Sequence, residues 1–166
     1  LHCCGIAHAL GIRRVLIPPF AAAFSALGAG NVDQLHIHEK STYTVLFHTA
    51  QKQLLTDYAR INDTIAELER RGRDDLVRQG ANPAQILYRV EFDMRYGNQR
   101  AETAVATDLE RLSSVHDVLA LIKEFHKRYG ERFGEGSQAT ENGVRINTVR
   151  VSSYVEIDKV GFKEIQ

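Results

Sequence analysis

The sequence has no excess of charge of one sign, no long apolar run and almost no cysteine. Its 21 basic and 21 acidic side chains balance over 166 residues, so no net field favours nucleic acid, an anionic membrane or an acidic partner. No apolar stretch approaches the roughly 20 residues of a membrane span, and the N-terminus lacks a signal-peptide pattern. These absences predict a soluble, cytoplasmic protein that binds neither nucleic acid nor membrane.

The two cysteines, Cys3 and Cys4, are adjacent, and neighbours in sequence are poorly placed to form a disulfide with each other. We expect both to be reduced. The chain begins at Leu1 without a methionine and continues directly into apolar residues, which indicates a piece of a longer polypeptide. Its length is enough for one core.

The clearest pattern is a strand within residues 85–99. Its apolar side chains alternate with charged ones, as in a strand with one buried and one polar face. Gly97-Asn98 favours a turn, after which residues 102–106 are expected to return as an antiparallel strand. The alternating apolar residues are Tyr88, Val90, Phe92, Met94 and Tyr96.

Two amphipathic helices and two further strands surround this hairpin. Apolar periodicity predicts one helix over about residues 50–79 and another from Ser114, whose pairing with Asp117 resembles a capping box, to Gly130. Strands are expected near residues 35–47 and 144–156. This order predicts an α+β domain with the ferredoxin-like split βαβ arrangement, a four-stranded antiparallel sheet covered by two helices. Four side chains are predicted to face the helices: Tyr88, Val90, Phe92 and Met94.

The pattern of the N-terminal segment indicates half of an α/β unit, without the other half that would pack against it. A short helix over residues 1–10 is expected to end at Gly11, and a buried strand over residues 13–17 is expected to end at Pro18-Pro19. Residues 20–27 are again helical in pattern. An unpaired strand here would favour self-association or a disordered arm.

Metal ligands do not form a recognisable motif. His2, Cys3, Cys4 and His8 lack the paired spacing of zinc sites. Residues 36–38 place two imidazoles on one strand face, without a third ligand nearby in the sequence. The sequence therefore predicts no metal site, and it favours packing over nucleophilic chemistry for Cys3.

Asp93, Arg95 and Gln99 are the candidate functional or docking face. They lie on or just after the polar side of the predicted hairpin, so they are either solvated or docking side chains, or contacts to something functional. No second carboxylate is fixed near Asp93 by sequence, so paired acid–base catalysis does not follow. Gly28-Ala29-Gly30 follows a helix instead of a strand, which favours a helix end over a phosphate loop.

Several blocks of the chain resemble the hydantoinase A and acetone carboxylase family. The run over residues 1–12, with residues 15–20 and 24–28, is similar to the end of that family's nucleotide-handling part. Residues 92–99 resemble its Asp-Met-Arg-Tyr-x-Gly-Gln strand, and Phe125-His126 with Tyr129-Gly130 resembles its C-terminal helix end. Other segments resemble the acetone carboxylase branch in particular: residues 28–30 with 34–39, residues 95–99 and residues 133–138.

The resemblance implies that residues 1–33 end an actin-like nucleotide domain and that residues 34–166 form an appended C-terminal domain. It implies ATP and Mg²⁺ use by the full-length subunit, in ketone carboxylation or alternatively in opening cyclic amides of the hydantoin or 5-oxoproline kind. The expected partners are a hydantoinase B-like large subunit and a small third subunit. His2 is the nucleotide-proximal candidate, and no catalytic residue is assigned. The isolated segment is expected to be inactive and to hold no cofactor; a non-catalytic assembly module is the other alternative.

Overall fold

The computed structural model describes residues 2–17 and 21–159. Two compact units are present, one spanning Asp33–Glu156 and one that contains the described residues before Asp33 together with residues 157–159. No helix in these described ranges is long and apolar enough to span a bilayer. The proposed division at residue 33 into a nucleotide-domain end and an appended domain stays a prediction.

The larger unit contains a five-stranded, fully antiparallel sheet. Its strand order is β2-β1-β5-β3-β4. Long β5 lies in the middle, where it pairs with β1 on one side and β3 on the other. The strands are β1 (Gln34–His48), β2 (Gln53–Leu54), β3 (Leu87–Tyr96), β4 (Thr103–Thr107) and β5 (Val144–Val155).

The hairpin of β3 and β4 confirms the central sequence prediction, but the predicted four-stranded sheet is wrong. After β1 the chain turns back at Lys52, which has a positive φ of 50°, and residues 53–54 pair with Phe47 and His48 as a fifth strand. The ferredoxin-like assignment is not confirmed. The fold is a mixed one, with a five-stranded antiparallel sheet and helices.

Two long helices, α3 (Ala59–Arg78) and α4 (Val115–Phe133), cover one face of this sheet. Helix α3 begins nine residues later than predicted, because residues 53–54, which lie between β1 and α3, form strand β2 instead of helix. Helix α4 begins with the predicted capping box between Ser114 and Asp117. It continues past Gly130 and ends at Gly134, where φ is +89°.

The core lies between the sheet and the two helices. Val90, Phe92 and Met94 are buried there as predicted, and Tyr96 joins them. Each such large apolar side chain contributes about 1.5–3 kcal/mol on full burial. The prediction is wrong for Tyr88, which is 38% exposed, since burial on β3 starts only at Val90.

The smaller unit contains α1 (Cys3–Ala9) and α2 (Phe24–Ala29), the latter preceded by one 3-10 turn. Gly11 adopts a positive φ of 66° just after α1, as expected of a helix end. The predicted strand over residues 13–17 is absent, and Leu16 there is 84% exposed. A strand requires a neighbour for its backbone hydrogen bonds, and none of the described strands pairs with this segment. The predicted stop at Pro18-Pro19 lies outside the described residues.

Candidate functional site

A cluster of two histidines and a carboxylate joins β1 to α3. His36 and His38 lie two residues apart on β1, so their side chains share one face of the strand. Asp75 reaches them from the last turns of α3. His38 Nε2 lies 2.8 Å from Asp75 Oδ2, and His36 Nδ1 lies 3.9 Å from the same oxygen. The sequence places the two histidines together, but only the packing of α3 brings in Asp75.

Asp75 is held in its charged form by its neighbours. Burial raises the pKa of its carboxyl, but the hydrogen bond with His38 and the positive charge of Arg78 outweigh this effect, so the pKa lies below its usual value. Arg78 also bonds the other oxygen, Oδ1. Oδ2 is therefore the oxygen that faces the imidazoles.

The floor of this cluster is formed by Gly72 and Ser153. Ser153 on β5 is the register partner of His36 on β1, and it is completely buried. Among the described residues its Oγ has no hydrogen-bond partner. A Cβ at Gly72 would stand 2.1 Å from that Oγ and 3.6 Å from His38 Cδ2. Only a residue without a side chain lets α3 approach the sheet this closely.

The face of the sheet opposite the helices, here called the polar face, holds a second cluster around Arg150. Its guanidinium bonds Asp93 at 2.9 Å and Glu39 at 3.2 Å, and it also bonds Glu91. Burial raises the pKa of the Asp93 carboxyl, and the Arg150 charge offsets only part of this rise. Asp93 is therefore an ion-pair residue of a network that ties β1, β3 and β5 together.

Arg95 and Gln99 form a separate contact on the predicted docking face. Arg95 Nη1 donates to the Gln99 backbone oxygen at 3.2 Å, and the Gln99 side chain accepts from Tyr129 at 3.0 Å. Asp93 has its own partner in Arg150. All three predicted residues thus make local contacts, but they do not converge on a common site. Their role as a docking face stays a prediction.

Arg145 was not singled out by sequence, although it is the most deeply buried cation of the polar face, with 6% exposure. It donates to the Tyr43 hydroxyl at 3.0 Å and to Asn98 at 3.2 Å, and it stacks over the Tyr43 ring. Within residues 2–17 and 21–159, no carboxylate lies within ion-pair distance of it. These residues line a cavity of about 230 Å³, which suits a small anion by its charge.

His126 and Tyr96 are the titratable pair of the core. The Tyr96 hydroxyl lies in hydrogen-bond contact with His126 Nδ1. Burial lowers the pKa of His126 and raises the pKa of Tyr96 to about 12. Both groups are thus neutral near pH 7, and the tautomer of His126 decides which of the two donates the hydrogen bond. This pair belongs to the packing of α4 on β3.

His2 lies just before α1 and is exposed. Its backbone oxygen accepts the Ile6 N–H at 3.0 Å, and its nucleotide-proximal role stays a prediction. Gly28 lies inside α2 and Gly30 caps its end, so these glycines do not form a loop that opens a helix.

The model of the hydantoinase/oxoprolinase C-terminal domain family matches residues 48–165 of the chain. The acetophenone carboxylase gamma subunit of Aromatoleum aromaticum is 25% identical over 133 residues, covering 78% of this chain and 18% of the relative. The acetone carboxylase beta subunit of Xanthobacter autotrophicus is 22% identical over 160 residues, covering 96% of this chain and 22% of the relative.

Two solved structures share the fold. A nucleotide-free acetone carboxylase matches with a TM-score of 0.78 and 22% identity, over 95% of this chain and 22% of the other. The ATP-dependent caprolactamase of Pseudomonas jessenii matches with a TM-score of 0.75 and 22% identity, over 99% of this chain and 23% of the caprolactamase chain. The chain spans about a fifth of the length of these relatives. It belongs to the hydantoinase/oxoprolinase C-terminal domain family, as the resemblance of its motifs predicts.

Proposed function

We propose that this chain is the C-terminal part of an ATP-dependent ketone carboxylase subunit and that it is inactive on its own. The observation that carries this proposal is its similarity, along most of its length, to subunits of acetone and acetophenone carboxylases. ATP and Mg²⁺ would bind the rest of the full-length subunit, because Gly28 and Gly30 lie in and at the end of a helix and not in a loop that opens one.

The smaller unit supports a place at the edge of a larger nucleotide domain. Its large apolar side chains are exposed, among them Leu10 at 69% and Leu16 at 84%. Contiguous exposed apolar surface is typical of a docking surface. These side chains would pack against the remainder of the nucleotide domain, and His2 would lie near its nucleotide.

The polar face supports assembly with a second subunit. Arg150, Asp93 and Glu91 are only partly exposed and already fixed by hydrogen bonds, so little side-chain entropy is lost when a partner covers them. We propose that this face, with Arg95 and Gln99, docks onto a hydantoinase B-like large subunit. A small third subunit would complete the cytoplasmic complex.

The alternative is a cyclic amidase of the hydantoinase or 5-oxoprolinase type. The caprolactamase shares the fold about as closely as the acetone carboxylase does, and fold alone does not choose between reactions. ATP hydrolysis by the full-length subunit with its large partner separates them. Stimulation by acetone plus bicarbonate supports the carboxylase, stimulation by a hydantoin or lactam alone supports the amidase, and no stimulation supports a non-catalytic assembly module.

Docking by the polar face is tested by co-purification of the two subunits. Arg150→Glu reverses the central charge of the face and should weaken retention of the large subunit at least tenfold. Arg73→Glu makes the same charge change on the exposed side of α3 and should leave retention unchanged. Equal retention by both variants would contradict the proposal, provided that both retain the parent's circular dichroism spectrum.

A further inference from the structure

We propose that His36, His38 and Asp75 form a binding site for a divalent transition-metal ion of the zinc class. Each residue offers one ligand atom, and the three atoms lie within 4.8 Å of one another. The proposal is independent of the reaction catalysed by the full-length protein. It rests on the geometry and chemistry of these side chains alone.

The three ligands stand on two rigid elements. The two imidazoles are fixed by a 15-residue strand and the carboxylate by a 20-residue helix packed against it. The imidazole rings are nearly parallel, with 13° between their planes and 6.4 Å between their centroids. Both rings thus present an edge nitrogen to the same carboxylate oxygen, Asp75 Oδ2.

The distances are close to those of a tetrahedral site. Metal–ligand bonds of about 2.0–2.1 Å place the donor atoms roughly 3.3 Å apart in a tetrahedron. The distances from Asp75 Oδ2 are 2.8 Å to His38 Nε2 and 3.9 Å to His36 Nδ1. The two separations thus lie on either side of the tetrahedral value, and all three ligand atoms lie within 4.8 Å of one another.

The surroundings of Asp75 orient it as a ligand. Arg78 occupies Oδ1, which leaves Oδ2 for the ion, and such outer contacts commonly fix the geometry of metal ligands. Mg²⁺ and Ca²⁺ prefer ligand sets made of oxygen atoms, which this cluster does not offer. Two imidazoles and one carboxylate instead suit zinc, cobalt or iron.

Ser153 is the second, independent observation. Its buried Oγ lacks a hydrogen-bond partner among the described residues, and a buried hydroxyl without a partner is unusual in a folded protein. It faces Gly72 of α3, and Ser153 is the register partner of His36. Three protein ligands leave a fourth position for water.

The test uses the full 166-residue chain freed of metal by EDTA and titrated with Co²⁺ and Zn²⁺. One equivalent of Co²⁺ should bind with the visible spectrum of a tetrahedral nitrogen–oxygen site and without thiolate charge-transfer bands. Zn²⁺ should displace it and raise the unfolding temperature. His38→Ala and Asp75→Asn should each weaken binding at least tenfold, whereas His116→Ala, which removes an exposed histidine of α4, should leave it unchanged.

Three results would overturn the site. They are the absence of stoichiometric binding, binding that both His38→Ala and Asp75→Asn leave unchanged, and thiolate bands that place the ion on Cys3 or Cys4. Circular dichroism of each variant without metal identifies loss of fold. If Asp75→Asn fails to fold, His36→Gln, on the strand side of the cluster, replaces it and should also weaken binding at least tenfold.

Discussion

Ser153 on β5 occupies the space where a side chain at Gly72 on α3 would stand. A Cβ at Gly72 would lie 2.1 Å from Ser153 Oγ and 2.6 Å from Ser153 Cβ. The hydroxyl can rotate away, but the Cβ is fixed to the central strand of the sheet. Helix α3 therefore packs on β5 at a distance that only glycine allows.

Gly72→Ala should destabilise the larger unit in spite of the better helix propensity of alanine. The propensity gain is about 1 kcal/mol, and overpacking of a tight contact costs about 1–3 kcal/mol, so we expect a net loss of up to about 2 kcal/mol. Urea unfolding followed by circular dichroism measures it. Gly5→Ala in α1, where nothing lies within 4 Å of the added Cβ, is the matched control. An unfolding midpoint for Gly72→Ala at or above that of the parent would contradict the close approach.

Phe92→Ala should cost about 3–5 kcal/mol through lost burial and the cavity left behind. Phe92 is 1% exposed in the centre of β3, whereas Tyr88 near the start of the same strand is 38% exposed. Tyr88→Ala is therefore the control, with a loss that should be clearly smaller. Equal urea midpoints for the two variants would mean that the face of β3 is wrongly assigned.

Elements with local signals could be predicted from the sequence. The alternation around Phe92 specifies β3, and the reciprocal bonds of Ser114 and Asp117 specify the start of α4. The start of α3 could not be predicted, because residues 53–54 gain their strand structure only by pairing with β1. The strand expected at residues 13–17 is wrong for the converse reason, since no strand in the described part of the chain pairs with this apolar segment.

The candidate metal site also combines a local feature that the sequence predicts with a long-range contact that it does not. A spacing of two residues on β1 is enough to put His36 and His38 on one face, and this was predictable. Asp75 is 37 residues further along the chain than His38, and its approach depends on how α3 sits on the sheet. Gly72 was the one available signal, because a glycine inside a helix often marks a close packing contact.

The stability of the protein should fall as the pH drops below about 6.5, because of His126. Burial holds the pKa of His126 below its usual value in the folded state, whereas the unfolded imidazole protonates near pH 6.5. Just below this pH the unfolded state binds more protons, so the free energy of unfolding decreases by at most about 1.4 kcal/mol per pH unit for one group.

Urea unfolding between pH 7.5 and 5.5 tests this effect above the range in which carboxylates titrate. His126→Gln removes the titrating group while keeping a side chain that can hydrogen-bond to Tyr96, so its free energy of unfolding should depend less on pH. His116→Gln, at an exposed position, should follow the parent. The same pH slope in all three proteins would show that His126 is not the group responsible.

Arg145 and Arg150 should respond differently to replacement by methionine. Arg150 neutralises Asp93 and Glu91 on the polar face, and its removal leaves partly buried carboxylates unpaired, which we expect to cost about 1–3 kcal/mol. Arg145 is more deeply buried, but it has no carboxylate within ion-pair distance among the described residues. Its neutral partners, Tyr43 and Asn98, are exposed, so water can replace the lost hydrogen bonds. Burying a charge without an opposite charge is costly, so Arg145→Met should unfold at the parent's urea concentration or above it. A loss as large as that of Arg150→Met would show that the desolvation of Arg145 is already compensated.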